Sequence, residues 1–288
     1  MKRSAKNIRL TPVDDLFSTD ESRVDAQRER VVELPLAELH PFRNHPFKVL
    51  DDEKMADTAQ SIREHGVLVP AIVRPREEGG YEIVAGHRRH HASQIAGLDT
   101  MPAIIRDLDD DAATIIMVDS NLQRETLLPS ERAWAYKMKL DAMKRQGKRT
   151  DLTCGQVGHK SEKSVMRVAD EAGESVKQVQ RFIRLTELIT PLLDMVDERK
   201  IAFNPAVELS YLKPEEQVEL LDAMDSEQAT PSLSQAQRLK KVSMEGHLSI
   251  DVMRAIMSEE KKGELDRITL TGVKVNKYFP RSYTTQQK

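Results

Sequence analysis

Tyr81-Glu82-Ile83-Val84-Ala85-Gly86-His87-Arg88-Arg89-His90-His91-Ala92-Ser93 reads as a strand that stops at a glycine and turns straight into a helix. Gly86 permits a positive φ or a close backbone approach. The helix that follows opens with unpaired backbone N–H groups and the positive end of its dipole. Its N-terminus is therefore an anion site before any side chain is added. Arg88 and Arg89, in the first turn, add planar donor forks that match phosphate oxygens. The competing reading is a solvated first turn that happens to be basic, so the flanking sequence has to decide.

Upstream, Val31 to Leu34 is a short strand candidate, followed by a turn at Pro35 or at Leu39-His40-Pro41. Phe42-Arg43-Asn44-His45-Pro46-Phe47 is a loop. Asp51 or Asp52 can cap a helix in which Met55, Ala59 and Ile62 repeat at helical spacing, and Gly66 ends it. Val67 to Arg74 is a β run, with Pro70 marking an edge or a strand start. Glu78-Gly79-Gly80 is a turn, Gly97 closes the helix after the central stretch, and Met101 to Ile105 is a further strand. The order strand, helix, strand, strand, helix, strand predicts a compact α/β unit over residues 31–125.

The 288 residues are enough for two or three domains. Charged residues make up 32% and aromatics only 4%, which favours a mainly helical chain with one mixed domain. Formal charge is −3, so any basic surface is local. The single cysteine, Cys154, excludes an intrachain disulfide and a cysteine zinc cluster and suits a reducing cytoplasm. No apolar run is long enough to span a membrane. Residues 1–30 read as a polar tail in which Leu16-Phe17 is an isolated apolar patch.

Asp109-Asp110-Asp111 opens a helix with Ala113, Ile116 and Met117 on one face, running into Asp119-Ser120-Asn121-Leu122-Gln123-Arg124. Pro129 starts the next helix, whose far end holds Lys137, Lys139, Lys144, Arg145, Lys148 and Arg149, a solvated face or a phosphate contact. Gly147 to Lys163 reads as a loop. Then Ser164 to Leu185 forms a helix-turn-helix pattern. Val165, Val168 and Ala169 face inward, Gly173 sits in the turn, and Ser175 caps a second helix with Val176, Val179, Phe182 and Ile183 on one face. Lys177, Gln178, Gln180, Arg181 and Arg184 lie away from that face, where amides and guanidinium groups can read base edges and cations can hold phosphates. Short helices follow over 191–199, 204–212 and 214–225, then Ser232 or Ser234 begins a helix and Ser249 another, and Ile268 to Val273 is β-like.

Taken together, these stretches resemble the ParB/RepB family of chromosome- and plasmid-partition proteins, over roughly residues 31–225. Gly86-His87-Arg88-Arg89-His90-His91-Ala92 is similar to the family's Gly-Glu-Arg-Arg-x-Arg-Ala box, and Asn121-Leu122-Gln123-Arg124 to its Glu-Asn-x-Gln-Arg box. The chain looks most like versions carried on conjugative or integrative elements. The resemblance implies an α+β, mainly helical fold: a small mixed ParB/sulfiredoxin-like domain, then an all-helical helix-turn-helix domain. It divides the chain into a tail (1–30), a nucleotide-binding domain (31–125), a DNA-binding domain (126–228) and a C-terminal helical segment (229–288). It also implies a homodimer that binds CTP with Mg2+, closes as a clamp on a palindromic DNA site, works with a ParA-type ATPase, and resides in the cytoplasm on nucleoid or plasmid. On that basis Gly86, His87, Arg88, Arg89, Asn121 and Arg124 are the nucleotide-binding candidates, and Ser175, Lys177, Gln178, Gln180, Arg181 and Arg184 the DNA-binding ones.

The departures are specific. His87 stands where the family has the glutamate linked to CTP hydrolysis, and Ser120 where it has a glutamate that helps with metal. Asp119 is adjacent but points elsewhere on a helix. His40 to Phe47 replaces the family's Asn-Pro-x-Gln-Pro-Arg segment. Loss of two carboxylates weakens metal binding and water activation, so the expectation is at most a weak CTPase. The alternatives are a DNA-binding transcriptional regulator without nucleotide function, or a sulfiredoxin-like nucleotide-dependent enzyme. The latter wants a cysteine at the Gly-x-Arg turn, where His87 stands. His87, His90 and His91 also invite a metal reading, but a helical histidine pair without a third ligand is a weak site.

Overall fold

The computed structural model describes residues 30–124, 127–149 and 159–259. Five strands form one sheet in the order β1-β5-β3-β4-β2. They are β1 (Val31–Pro35), β2 (Leu39–His40), β3 (Ala71–Pro75), β4 (Tyr81–Ala85) and β5 (Thr100–Ile105). β1 runs antiparallel to β5, with Leu34 opposite Met101, and β3 antiparallel to β4, with Val73 opposite Ile83. β3 is parallel to β5 and β2 to β4.

Alternation along β4 sends neighbouring side chains to opposite faces. Ile83 joins Leu34, Leu39, Val73 and Met101 on one face, while Val84 joins Phe42, Phe47, Met117 and Ala135 on the other. A strand covered on both faces reads as an unbroken apolar run, which is why Ile83-Val84-Ala85 shows no polar alternation. Helix α1 (Glu53–His65) is capped by the Asp52 carboxylate, which accepts the Met55 N–H, and its buried Met55, Ala59 and Ile62 pack with Ala92 of α2 (His87–Ala96).

Three expectations are corrected. The run from Val67 to Arg74 becomes strand only at Ala71. Pro70 has no N–H to give, and the Arg89 guanidinium takes the carbonyls of Val69 and Pro70, so the ladder stops at Ala71. Leu39-His40 is a two-residue strand beside β4 rather than a turn. The segment 147–163 is not wholly a loop: α4 (Pro129–Arg149) continues through Gly147, and α5 (His159–Ala172) begins at His159. Good helix formers around Gly147 outweigh its cost of about 1 kcal/mol. The β-like run at 268–273, the tail with its Leu16-Phe17 patch, and Cys154 lie outside the described residues.

Helix α3 (Asp110–Leu122) starts from an Asp109 cap that accepts the Ala112 N–H. The basic end of α4 is partly spent on structure. Lys139 is 2% exposed and its ammonium is clasped by Asp119 of α3 and Glu171 of α5, both at 2.5 Å. Arg145 pairs with the buried Asp111 at 2.7 Å. These two side chains are therefore committed to carboxylates, which argues against the phosphate-contact reading at their positions.

The described residues fall into two compact units, one ending at Ile183 and the other beginning at Arg184. The second holds α7 (Thr190–Asp197), α8 (Phe203–Leu209), α9 (Pro214–Glu227), α10 (Leu233–Met244) and α11 (Ile250–Met257). Its buried amides are satisfied: Gln217 accepts the Ile189 N–H at 2.8 Å and donates to the carbonyls of Glu187 and Leu212. Ser232 and Gln235 cap α10 reciprocally.

Candidate functional site

Gly86 adopts φ 118° and forms the N-cap of α2. A Cβ there would lie 3.0 Å from the Ala71 Cβ and 3.3 Å from its Cα, so both the backbone angle and the space require glycine. With no side chain to cap the helix, the first-turn N–H groups are left to another partner.

His87, the first helical residue, is 8% exposed. Its Nε2 accepts the Phe42 N–H at 3.2 Å, which places the ring proton on Nδ1. Burial above all, with His45, His90 and Arg124 nearby adding to it, pushes its pKa down to about 3. The ring of His45 stacks on it with centroids 3.8 Å apart. His45 donates from Nδ1 to the Phe47 carbonyl at 2.8 Å, and its Nε2 is buried without a hydrogen-bond partner. Glu82 holds the same loop from β4, accepting the Arg43 N–H at 2.9 Å while the Arg74 guanidinium binds its other oxygen. Asn44 takes φ 57°, which asparagine tolerates better than most residues. The loop that replaces the family's segment is thus pinned at Phe42 and His45 against His87 and at Arg43 against β4.

The arginines are arranged around that turn. Arg88 is 3.5 Å from the Asp52 carboxylate. Arg124 lies over the Phe47 ring at 5.7 Å. Burial lowers the Arg124 pKa, and the Arg88 charge lowers it again while Glu131 offsets this in part. Two guanidinium groups that repel each other beside a helix N-terminus make a place for a multiply charged anion. Arg89 points to the strap, donating to the Pro70 carbonyl at 2.7 Å and to that of Val69. Asn121 is 4% exposed, and its amide donates to the Met117 carbonyl of its own helix at 2.8 Å. The geometry therefore gathers Gly86, His87, Arg88 and Arg124, while Arg89 donates from one guanidinium nitrogen, and Asn121 from its amide nitrogen, to nearby carbonyls.

The anion part of the implied ligand fits these residues. The metal part does not: Glu131 is spent on the Lys48 and Leu128 N–H groups, and His87 and Ser120 offer no carboxylate. Among the described residues no group of three or more His, Cys, Asp or Glu side chains has metal-binding geometry. His91 instead pairs with Asp51 at 2.6 Å.

The second candidate set lies on α5, the turn and α6 (Val176–Arg184). Gly173 takes φ 66° to end α5, and the Ser175 hydroxyl accepts the Gln178 N–H at 3.2 Å to start α6. Val165, Val168 and Ala169 are buried, as are Val179 and Phe182. Phe182 meets the Tyr136 ring edge-on at 5.9 Å and carries the Arg132 guanidinium at 5.2 Å. Ser175, Lys177 and Gln180 are exposed, while Gln178, Arg181 and Arg184 are half-buried. Residues missed from sequence are His45, Phe47 and Glu82, since nothing local marks them for their distant partners His87, Arg124 and Arg43.

The ParB N-terminal domain family matches residues 20–122. The chain is 36% identical over 200 residues to stage 0 sporulation protein J of Bacillus subtilis, covering 69% of this chain and 64% of that protein. It is 33% identical over 211 residues to the nucleoid occlusion protein of Listeria monocytogenes, covering 72% of this chain and 68% of that one. Among solved structures it is similar to the C-terminally truncated ParB of Caulobacter crescentus. The complex with the centromeric parS site gives 26% identity and a TM-score of 0.42, over 78% of this chain and 98% of that one. The complex with CTP-γ-S gives 29% and 0.32, over 68% and 99%. At these scores the superpositions carry no detail, and the sequence identities carry the assignment. The chain spans a little under two thirds of the sporulation protein's length. On the match to the N-terminal domain and the identity with these relatives, the chain belongs to the ParB family.

Proposed function

We propose that this chain is a sequence-specific DNA-binding partition protein that loads at a centromere-like palindrome as a CTP-dependent dimeric clamp. The observation that carries the nucleotide half is the pair Arg88 and Arg124 beside the N-terminus of α2, where no side chain caps the helix and where burial and the Arg88 charge lower the Arg124 pKa. Gly86, Arg88 and Arg124 would hold the triphosphate, and the first-turn N–H groups would add to them. CTP supplies the charge that neutralises the two guanidinium groups. Glu131 already accepts two backbone N–H groups, so it offers Mg2+ no free carboxylate at the turn. His87, neutral and already accepting the Phe42 N–H, is a poor base for water, so turnover is weak or absent. Arg89 would support the turn by tying α2 to the Val69 and Pro70 carbonyls, and Asn121 by its bond within α3.

Ser175, Lys177, Gln178, Gln180, Arg181 and Arg184 of α6 would face the DNA, with residues 31–125 as the nucleotide domain, 126–228 as the DNA-binding domain and 229–288 as a C-terminal segment. Family membership supports a ParA-type ATPase partner and a nucleoid- or plasmid-associated cytoplasmic location. The second reading, a DNA-binding regulator without nucleotide function, is favoured by His87 and Ser120. Isothermal titration with CTP, UTP, ATP and GTP, with and without magnesium, separates the two on wild type, Arg88→Ala and Arg124→Ala. CTP binding lost in both variants supports the clamp. No binding of any nucleotide leaves the regulator.

A further inference from the structure

Tyr211, 43% exposed, carries two cations on its ring. The Arg184 guanidinium carbon is 4.2 Å from the ring centroid and the Lys240 Nζ is 3.5 Å from it. Arg184 is fixed further: its Nη2 donates to the Ser210 carbonyl at 2.7 Å and its Nε to the Ser210 hydroxyl at 3.3 Å. Ser210 is 1% exposed, bonds to the Val207 carbonyl, and sits at the C-terminal end of α8, where the helix dipole favours a cation. Lys240 pairs with Glu208 at 2.9 Å, with both side chains 24% exposed.

Two cations on one ring repel each other, and here one carboxylate and the π face offset them only in part. Each still has N–H donors to give. An arginine has five, of which two are used, and a lysine has three. Arg184 is also the last residue of α6, on the helical stripe that holds Lys177 and Arg181 at i, i+4 and i+7. A guanidinium and an ammonium already held in place lose little freedom when they take an anion. The anion that matches both, beside a helix of this composition, is a phosphodiester.

We infer that Arg184, Tyr211 and Lys240 form a preset clamp for the phosphate backbone of duplex DNA, with Tyr211 as the platform that holds the two cations. This rests on the DNA-binding reading above. Glu208 competes with the phosphate for Lys240, so removing its charge should tighten binding.

The test is binding of the full chain to a labelled mixed-sequence duplex of about 40 base pairs across a potassium chloride series. Lys240→Gln is expected to weaken binding and to lower the slope of log affinity against log salt by about 0.9, the value for one phosphate contact. Tyr211→Leu is expected to weaken binding roughly three- to tenfold by freeing both cations. Glu208→Gln is expected to bind roughly threefold tighter. Circular dichroism of each variant reports on the fold, and the two glutamine variants decide the outcome if Tyr211→Leu does not fold. An unchanged slope in Lys240→Gln, or unchanged affinity in Glu208→Gln, overturns the clamp. Wild type that binds, and is weakened by Arg181→Ala while indifferent to the Lys240 and Glu208 changes, removes the clamp and keeps the DNA reading. Wild type that fails to bind at any salt removes both.

Discussion

The buried imidazole of His87 makes the fold sensitive to mild acid by an amount that follows from the structure. In the unfolded chain the ring titrates at 6.5, and in the folded chain burial holds it down to about 3. Between those values the unfolded state binds the extra proton, so stability is present above pH 6.5 and is lost as pH falls toward 3. Lowering the pH from about 7.5 to about 5.5 protonates roughly ten elevenths of the unfolded rings and almost none of the folded ones, which removes about 1.4 kcal/mol. The loss barely depends on the folded value, provided that lies well under the working pH. His87→Gln keeps an acceptor for the Phe42 N–H and has nothing to titrate. The assay is urea unfolding at both pH values, followed by fluorescence of Trp134, the one tryptophan of the chain. Wild type should lose about 1.4 kcal/mol more than His87→Gln over this interval, which is a shift of roughly half a molar in urea midpoint or more. His45 and His90, also lowered by burial, contribute to both proteins and cancel in the difference. An identical pH dependence in the two proteins would refute the buried, neutral imidazole.

Three further outcomes are expected. Gly86→Ala forces a Cβ to 3.0 Å from that of Ala71 at φ 118°, and should cost about 1–3 kcal/mol in the same urea assay while removing nucleotide binding in titration calorimetry. Lys139→Met should change stability by less than about 2 kcal/mol, because its partners Asp119 and Glu171 are half-exposed and can return to water, whereas Lys139→Ala should cost clearly more by leaving the buried stem's space empty. Arg181→Ala should weaken binding to the specific DNA site by about 1–3 kcal/mol in fluorescence anisotropy, and unchanged affinity there would remove α6 as the reading helix.

Much of the fold was open to inspection in the chain itself, because its signals are local. Asp52, Asp109, Ser175 and Ser232 stand at helix starts, and each cap involves residues only three positions apart. Gly86 and Gly173 mark turns that demand positive φ, a property of one residue. The apolar spacing of Val165, Val168, Val179 and Phe182 specified the two helices on either side of Gly173, and the two motif boxes specified the family. What stayed hidden depends on partners far apart in sequence. His87 could be read as a metal ligand until Phe42, 45 positions earlier, was found donating to it and the His45 ring was found against it. Lys139 read as part of a basic surface until two carboxylates, 20 and 32 positions away on other helices, enclosed it. The strap before Ala71 read as strand until Arg89 took its carbonyls. Residue type and spacing state what a side chain is able to do. Which of those capacities is used is set by burial and by the nearest opposite charge or hydrogen-bond partner, and both exist only once the chain has folded.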